Sequence, residues 1–192
     1  MARVPYVDPA LAEGRKKELC EELIRTRGEP LEHIFLALAN TPELAEGVLA
    51  MATSLRRSTI LPRKFRELAV VTVGIATGAH YEVEHHWRIA RKLGISQEQL
   101  TALPEYATSP LFTAEERAVV RYALAATKGG HVAGEIWDAL EFLGLEGRME
   151  LVLTTSWYNC VTRIILSLDL DLEDWLSVGE VPGDLRFDTE AG

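Results

Sequence analysis

The spacing of apolar residues is the feature that most restricts the fold of this chain. Apolar side chains recur every three or four positions in most segments, and no run alternates apolar and polar residues for long enough to form a strand. Glycine and proline separate these segments, in the positions typical of helix ends and helix starts. We therefore expect an all-α fold, in which the helices form a bundle.

The same punctuation predicts where the helices lie. Ser96 with Gln99, and Thr113 with Glu116, each have the spacing of a capping box at a helix start. The last helix is apolar on most sides, which is typical of a helix at a subunit interface, so we expect it to be buried on several faces. The helices are expected at about residues 12–27, 42–56, 62–77, 81–93, 97–103, 114–128, 134–143 and 146–168, with a short apolar piece at 31–39 after the first of them.

Length and composition limit the class of protein. A chain of 192 residues with 47% apolar residues fits a single domain, expected over residues 1–192 with terminal arms at 1–11 and 169–192, the second of which could lie on a neighbouring subunit. A formal charge of −9 opposes nucleic-acid binding. The longest apolar runs fall short of the roughly 20 residues that a membrane span needs. The first residues lack a signal-peptide pattern, so we expect a cytoplasmic protein.

Cysteine chemistry has little support in the sequence. Cys20 and Cys160 lie far apart and form no CxxC pair. We therefore expect neither a disulfide framework nor a cysteine-based zinc site.

Ionisable side chains concentrate around the helices predicted at residues 62–77 and 81–93. Glu67 interrupts an apolar stretch, where a partly buried carboxylate would suit acid or base chemistry, although it could equally face solvent or pair with Arg63 or Arg66. Glu82 and His86 are four residues apart and so share one helix face. They form a candidate acid and base pair, with an ordinary surface ion pair as the alternative.

Two further groups of residues offer other chemistry. His80 and Glu84, with the adjacent His85, could ligate a metal, but a zinc site needs a third protein ligand and the HExxH order is not met, so we expect no metal. On the last helix, Arg163 lies in an apolar run. It could clamp a substrate carboxylate, or form a structural ion pair instead.

Residues 61–96, reading LPRKFRELAVVTVGIATGAHYEVEHHWRIARKLGIS, resemble the core motif of the carboxymuconolactone decarboxylase family, which also contains the AhpD-like alkylhydroperoxidases. The similarity extends over about residues 32–163, from the segment ANTPEL to the segment SWYNCVTR. It implies an all-helical, AhpD-like subunit that assembles into a homo-oligomer, a trimer or hexamer, with the site near a subunit boundary and no cofactor.

The chain departs from the peroxidase branch of this family at two positions. That branch has a glutamate twelve residues before a CxxCxxxH motif, and the corresponding residues here are Glu67, Ala79, Glu82 and His86. Peroxide reduction by this route needs one attacking and one resolving thiol, which Ala79 and Glu82 cannot supply. The resemblance therefore opposes a peroxidase role.

The resemblance instead implies a cofactor-independent lyase that decarboxylates a small organic acid or lactone through an enolate. His86 would deliver or shuttle the proton, Glu82 would hold its tautomer and Glu67 would be a second acid or base. Four residues are expected to contact substrate: Tyr81, His85, Tyr158 and Arg163. An isomerase, dehydratase or ring-opening hydrolase acting on a small carbonyl compound, or a non-catalytic binding subunit, remains an alternative.

Overall fold

The computed structural model describes residues 1–176 and 180–187, and these ranges contain helices without any β-strand. The predicted all-α fold is confirmed, and most helix ends lie within two residues of the predicted ones. The helix predicted at residues 134–143 is shorter in the structure. It covers Gly134–Asp138, and a separate 3₁₀ turn at Glu141–Leu143 takes up the end of the predicted range. The helices are α1 (Gly14–Arg27), α2 (His33–Leu38), α3 (Pro42–Arg57), α4 (Arg63–Thr77), α5 (His80–Lys92), α6 (Gln97–Thr101), α7 (Ala114–Gly129), α8 (Gly134–Asp138) and α9 (Gly144–Leu168).

Of the two predicted capping boxes, one is complete. At the start of α7, the Thr113 side chain accepts from the Glu116 amide and the Glu116 carboxylate accepts from the Thr113 amide. At the start of α6, Ser96 accepts from the Gln99 amide, but the Gln99 side chain donates to Glu116 at 2.9 Å instead of turning back. The second box is therefore only half formed, because the Gln99 side chain binds the buried Glu116 carboxylate and not the Ser96 backbone.

The chain divides into two compact units. The first contains Met1–Arg57 and the segment that begins at Ile164. Its core is formed by Leu19, Cys20, Leu23, Leu31, Ala39 and Ala45. The second contains Ser58–Arg163 and the described residues 180–187, and it includes α4 to α8 and most of α9. The expectation of one domain with terminal arms stays a prediction.

Helix α4 is the centre of the second unit. All residues from 66 to 75 are buried, because α5 packs on one side of the helix and α7 on another. Trp87 of α5 is fully buried in the core that α4 and α5 share. The helix ends at Gly78, whose φ of 71° is the left-handed conformation that favours glycine. The chain therefore turns sharply from α4 into α5.

Helix α9 is less covered than its sequence predicts. Leu151, Val161 and Ile165 are buried, as expected for an apolar helix. On other faces, however, Leu145 is 67% exposed and Leu153 is 44% exposed. In the described chain, burial on several faces is thus only partly realised.

The described residues of the predicted C-terminal arm pack on this chain. Glu173 and Leu176 are buried in the first unit, and Val181 and Phe187 contribute to the core of the second. The arm residues 177–179 and 188–192 lie outside the described residues.

Helices α4 and α5 approach each other closely at Gly74. A Cβ atom at this position would lie 2.8 Å from Cγ2 of Val83 and 3.4 Å from the Val83 amide nitrogen. Valine has a stiff side chain that cannot easily move away. Glycine at position 74 therefore allows the spacing between the helix that carries Glu67 and the helix that carries His86.

We expect Gly74→Ala to lower the free energy of unfolding by about 1–3 kcal/mol, because overpacking outweighs the better helix propensity of alanine. The matched control is Gly47→Ala in α3, where nothing lies within 4 Å of the added Cβ. That change should raise stability by about 0.5–1 kcal/mol. Urea unfolding of both variants measures the difference, and equal effects at the two positions would contradict the close approach.

Candidate active site

An imidazole held between two carboxylates is the main polar feature of the second unit. His86 Nδ1 lies 2.6 Å from Glu67 Oε2, and His86 Nε2 lies 3.1 Å from Glu82 Oε1. Glu67 comes from α4, whereas Glu82 and His86 lie one turn apart on α5. The structure thus brings together the three residues that the sequence predicted as catalytic.

The three side chains are shielded from solvent. Glu67 and Glu82 are each 5% exposed, and the His86 side chain is 12% exposed. The apolar residues around Glu67 place it on the buried helix α4, and the turn at Gly78 directs α5 back alongside it. A buried carboxylate needs a charged or hydrogen-bonding partner, and for both glutamates His86 is that partner.

Charge decides the protonation state of His86. Burial of the ring opposes protonation, but the charges of Glu67 and Glu82, with the hydrogen bond to Glu67, hold the pKa of His86 well above its usual value of 6.5. The resting site therefore contains an imidazolium between two carboxylates. Such a chain can release a proton at one end and recover it at the other.

Tyr158 of α9 completes the site on the other side of the ring. Its ring meets the His86 ring edge to face, with the centroids 4.9 Å apart. Burial raises the pKa of Tyr158 to about 12, although the charge of His86 acts in the opposite direction. The phenol therefore keeps its proton at neutral pH and can donate a hydrogen bond.

The alternative pairing of Glu67 with Arg66 is wrong. Arg66 Nη2 instead donates to Glu150 Oε1 at 2.7 Å, and both side chains are buried. Glu150 also accepts from the Ser58 hydroxyl and from the Leu61 amide. Burial opposes the charge of Glu150, yet these hydrogen bonds outweigh it and lower its pKa. Glu67 is left to pair with His86.

Other residues predicted to contact substrate lie in different surroundings. Tyr81 is buried, and its ring lies 4.6 Å from that of His85. Arg163 is exposed and donates both to the backbone oxygen and to the side-chain oxygen of Asn159. The substrate roles of Tyr81, His85 and Arg163 stay predictions.

His80 and Glu84, the candidate metal ligands of the sequence analysis, form a separate pair. His80 Nε2 lies 3.5 Å from Glu84 Oε1, and Glu84 is buried while His80 is exposed. Within residues 1–176 and 180–187, no three His, Cys, Asp or Glu side chains are grouped so that they could hold a metal ion. His80 also lines a cavity of about 210 Å³ with Gly74, Val83, Val181 and Leu185. None of Glu67, Glu82 and His86 lines that cavity.

Sequence reasoning missed the buried pair of Arg66 and Glu150. The two residues are far apart in the sequence, and each has the spacing of an ordinary helix-surface charge. The one available signal was the position of Arg66 between the apolar residues Phe65 and Leu68. That signal indicates burial but does not indicate the partner.

Part of the chain matches a known protein family. Residues 42–125, which include Glu67, Glu82 and His86, match the carboxymuconolactone decarboxylase family. The resemblance expected from the sequence is thereby confirmed. No curated protein sequence matches the chain.

Several solved structures share the fold of this chain. A variant of the debrominase Bmp8 in complex with 2,3,4-tribromopyrrole has a TM-score of 0.76 at 19% identity, over 91% of this chain and 93% of that chain. An AhpD-core, peroxidase-related protein from Ralstonia eutropha JMP134 has a TM-score of 0.72 at 22% identity, over 90% and 93%. A peroxidase-related protein from Silicibacter sp. TM1040 has a TM-score of 0.74 at 19% identity, over 91% and 92%. At these identities the likeness establishes a shared AhpD-like helical fold alone.

We expect nuclear magnetic resonance to show His86 protonated well above pH 6.5, and Glu67→Gln and Glu82→Gln each to lower its pKa by removing a carboxylate. Because the pKa of His86 is higher in the folded than in the unfolded state, protonated His86 contributes fully to the free energy of unfolding below about pH 6.5. This contribution disappears as the pH rises through the folded-state pKa.

The ring ¹⁵N shifts of His86 measure its protonation state as a function of pH. A neutral ring at pH 7 in the unaltered protein would contradict the geometry.

Proposed function

We propose that this protein is an enzyme that moves a proton on a small carbonyl compound, and that the reaction is the decarboxylation of an organic acid or lactone. The observation that supports the proposal best is the imidazole with both nitrogens on buried carboxylates. The match of the region that contains these residues to the carboxymuconolactone decarboxylase family favours catalysis. In this proposal the enzyme acts in the cytoplasm.

The geometry suggests distinct roles for the two carboxylates. Glu67 is the nearer partner, at 2.6 Å from Nδ1, so it orients the ring and stabilises its charge. Glu82 faces Nε2 at the longer distance of 3.1 Å. In our proposal His86 passes its proton from Nε2, either directly to substrate or through Glu82. This assigns to Glu67 the tautomer-holding role that the sequence suggested for Glu82.

The proposed reaction needs one proton and one electron acceptor. The bond between the carboxylate carbon and the neighbouring carbon breaks, CO₂ leaves, and the electron pair moves into a conjugated carbonyl to form an enolate. The imidazolium then protonates the carbon, the enolate returns to a carbonyl, and water restores the proton to His86. Tyr158, which keeps its proton, donates a hydrogen bond to the developing enolate oxygen.

Thiol chemistry of the kind suggested by the peroxidase-related structures has no support at this site. The two positions that carry cysteine in the peroxidase branch are Ala79 and Glu82. The cysteines of this chain are Cys20, in α1, and Cys160, in α9. We therefore propose proton transfer in place of peroxide reduction.

We also propose that the subunit forms a homo-oligomer, a trimer or hexamer. One face of α9 supports this, because Leu145, Met149 and Leu153 recur every four residues and are 67%, 46% and 44% exposed. Such a continuous apolar stripe is typical of a surface that another chain covers.

The decisive experiment incubates the protein with carboxylated butenolides and enones and follows CO₂ loss or double-bond shift by ¹³C nuclear magnetic resonance. We expect Glu82→Gln and His86→Ala to lower kcat by about 10²–10⁴-fold, the range for loss of a positioned acid or base. Activity should also fall as the pH rises through the pKa of His86, because the imidazolium is the acid.

The control is His131→Ala, which removes an exposed histidine outside the site and should leave the rate unchanged. A double-bond shift without CO₂ release would replace the lyase by an isomerase. Full activity in both site variants would refute the assignment of the site. Absence of any reaction across the panel would favour a binding subunit.

A further inference from the structure

Three buried polar atoms close to the candidate active site make no hydrogen bond in the described part of the chain. They are Arg66 Nε, Thr154 Oγ1 and Thr155 Oγ1. The residues are 5%, 0% and 1% exposed, so bulk water does not reach them. Native proteins pair the large majority of their buried polar groups, and an exception calls for an explanation. A bound molecule that supplies the missing partner is one such explanation.

Their position on α9 connects these atoms to the site. Thr154 lies one helical turn after Glu150, which binds Arg66, and one turn before Tyr158, which contacts His86. Thr155 lies three residues before Tyr158 and therefore also neighbours it on the helix surface. The charge of Arg66 acts on the Tyr158 hydroxyl. The three atoms thus belong to the region between the buried ion pair and the catalytic histidine.

The hydrogen-bonding capacity of these atoms indicates what they bind. Arg66 uses Nη2 for Glu150 and for the Ser58 backbone oxygen, which leaves the Nε hydrogen as a donor. A guanidinium is only a donor, and a threonine hydroxyl can donate as well as accept. The complementary group is therefore an oxygen with lone pairs, such as a carbonyl, lactone or carboxylate oxygen.

The charges nearby favour an uncharged oxygen. The ion pair and the histidine cluster next to this region contain three carboxylates, Glu67, Glu82 and Glu150, against the two cations Arg66 and His86. The formal sum is one negative charge, and Arg66 is already paired. An anionic carboxylate would meet net repulsion here and would lose its hydration. A neutral carbonyl oxygen avoids both costs.

We propose that Arg66, Thr154 and Thr155 form a binding site for an uncharged ketone or lactone carbonyl oxygen of the substrate. The inference rests on the proposed function for its role, since this oxygen is the one that becomes the enolate when the electron pair moves onto it. The substrate carboxylate that is lost then lies away from these donors. Thr154 and Thr155 are positioning and stabilising residues, and they transfer no proton.

The test compares two probes of similar size, the uncharged lactone 2(5H)-furanone and the anion crotonate. Binding is followed by titration of the threonine γ-methyl resonances, without any requirement for turnover. We expect the furanone to shift Thr154 and Thr155 and to bind more tightly than crotonate. Thr154→Val and Thr155→Val should each weaken furanone binding by about tenfold, the effect of one lost hydrogen bond.

Thr72→Val is the matched control. Its hydroxyl is also fully buried, but it donates to the Leu68 backbone oxygen at 2.7 Å and so has no donor to spare. This variant should bind furanone like the unaltered protein. Thr154→Val should be at least as stable as the unaltered protein, because the hydroxyl that it removes has no partner among residues 1–176 and 180–187.

The outcomes separate this inference from the proposed function. Equal furanone affinity in the Thr154 and Thr155 variants would overturn the carbonyl site, and so would tighter binding of crotonate or unshifted threonine resonances. If the Thr154 and Thr155 hydroxyls only hold a structural water, the variants will bind furanone as tightly as the unaltered protein, and the carbonyl site is overturned. Binding that depends on Thr154 and Thr155, in a protein that transforms no compound of the substrate panel, would support the site and refute the enzyme.

Discussion

A charged imidazole between two buried carboxylates is the interaction on which the site depends. Neither Glu67 nor Glu82 could remain buried as an isolated charge, because removal from water is too costly without a partner. His86 serves both, at 2.6 Å and 3.1 Å, and its own pKa rises as a result. The stability of this part of the fold and the chemistry of the site therefore share one arrangement.

A second buried ion pair lies beside that arrangement in the sequence. Arg66 and Glu67 are adjacent on α4, and each has its own partner. Glu150 binds Arg66, with support from the Ser58 hydroxyl and the Leu61 amide, whereas His86 binds Glu67. Helix α4 thus separates two charge systems on consecutive residues. Thr154 and Thr155, whose hydroxyls have no partner among the described residues, lie along α9 between Glu150 and Tyr158.

The shared fold accommodates different chemistry through side chains at the start of α5. In the peroxidase branch of the family this turn carries two thiols, whereas here it carries Ala79 and Glu82. A carboxylate in place of the resolving thiol can still exchange a proton with His86, but it cannot form a disulfide. The likeness to debrominase and peroxidase-related structures therefore concerns the helices, and the function follows from the residues placed on them.

The sequence alone determined the helices and the grouping of Glu82 with His86, because helix ends and four-residue spacing are local properties that depend on Gly78, Thr113 and similar residues. The family motif added Glu67 to them. Only the tertiary structure decided which carboxylate faces which imidazole nitrogen, that Arg66 pairs with Glu150, and that the Thr154 and Thr155 hydroxyls have no partner in the described part of the chain. Those facts depend on how α4, α5 and α9 pack, and the contacts join residues distant in the sequence, for which the local pattern carries no signal.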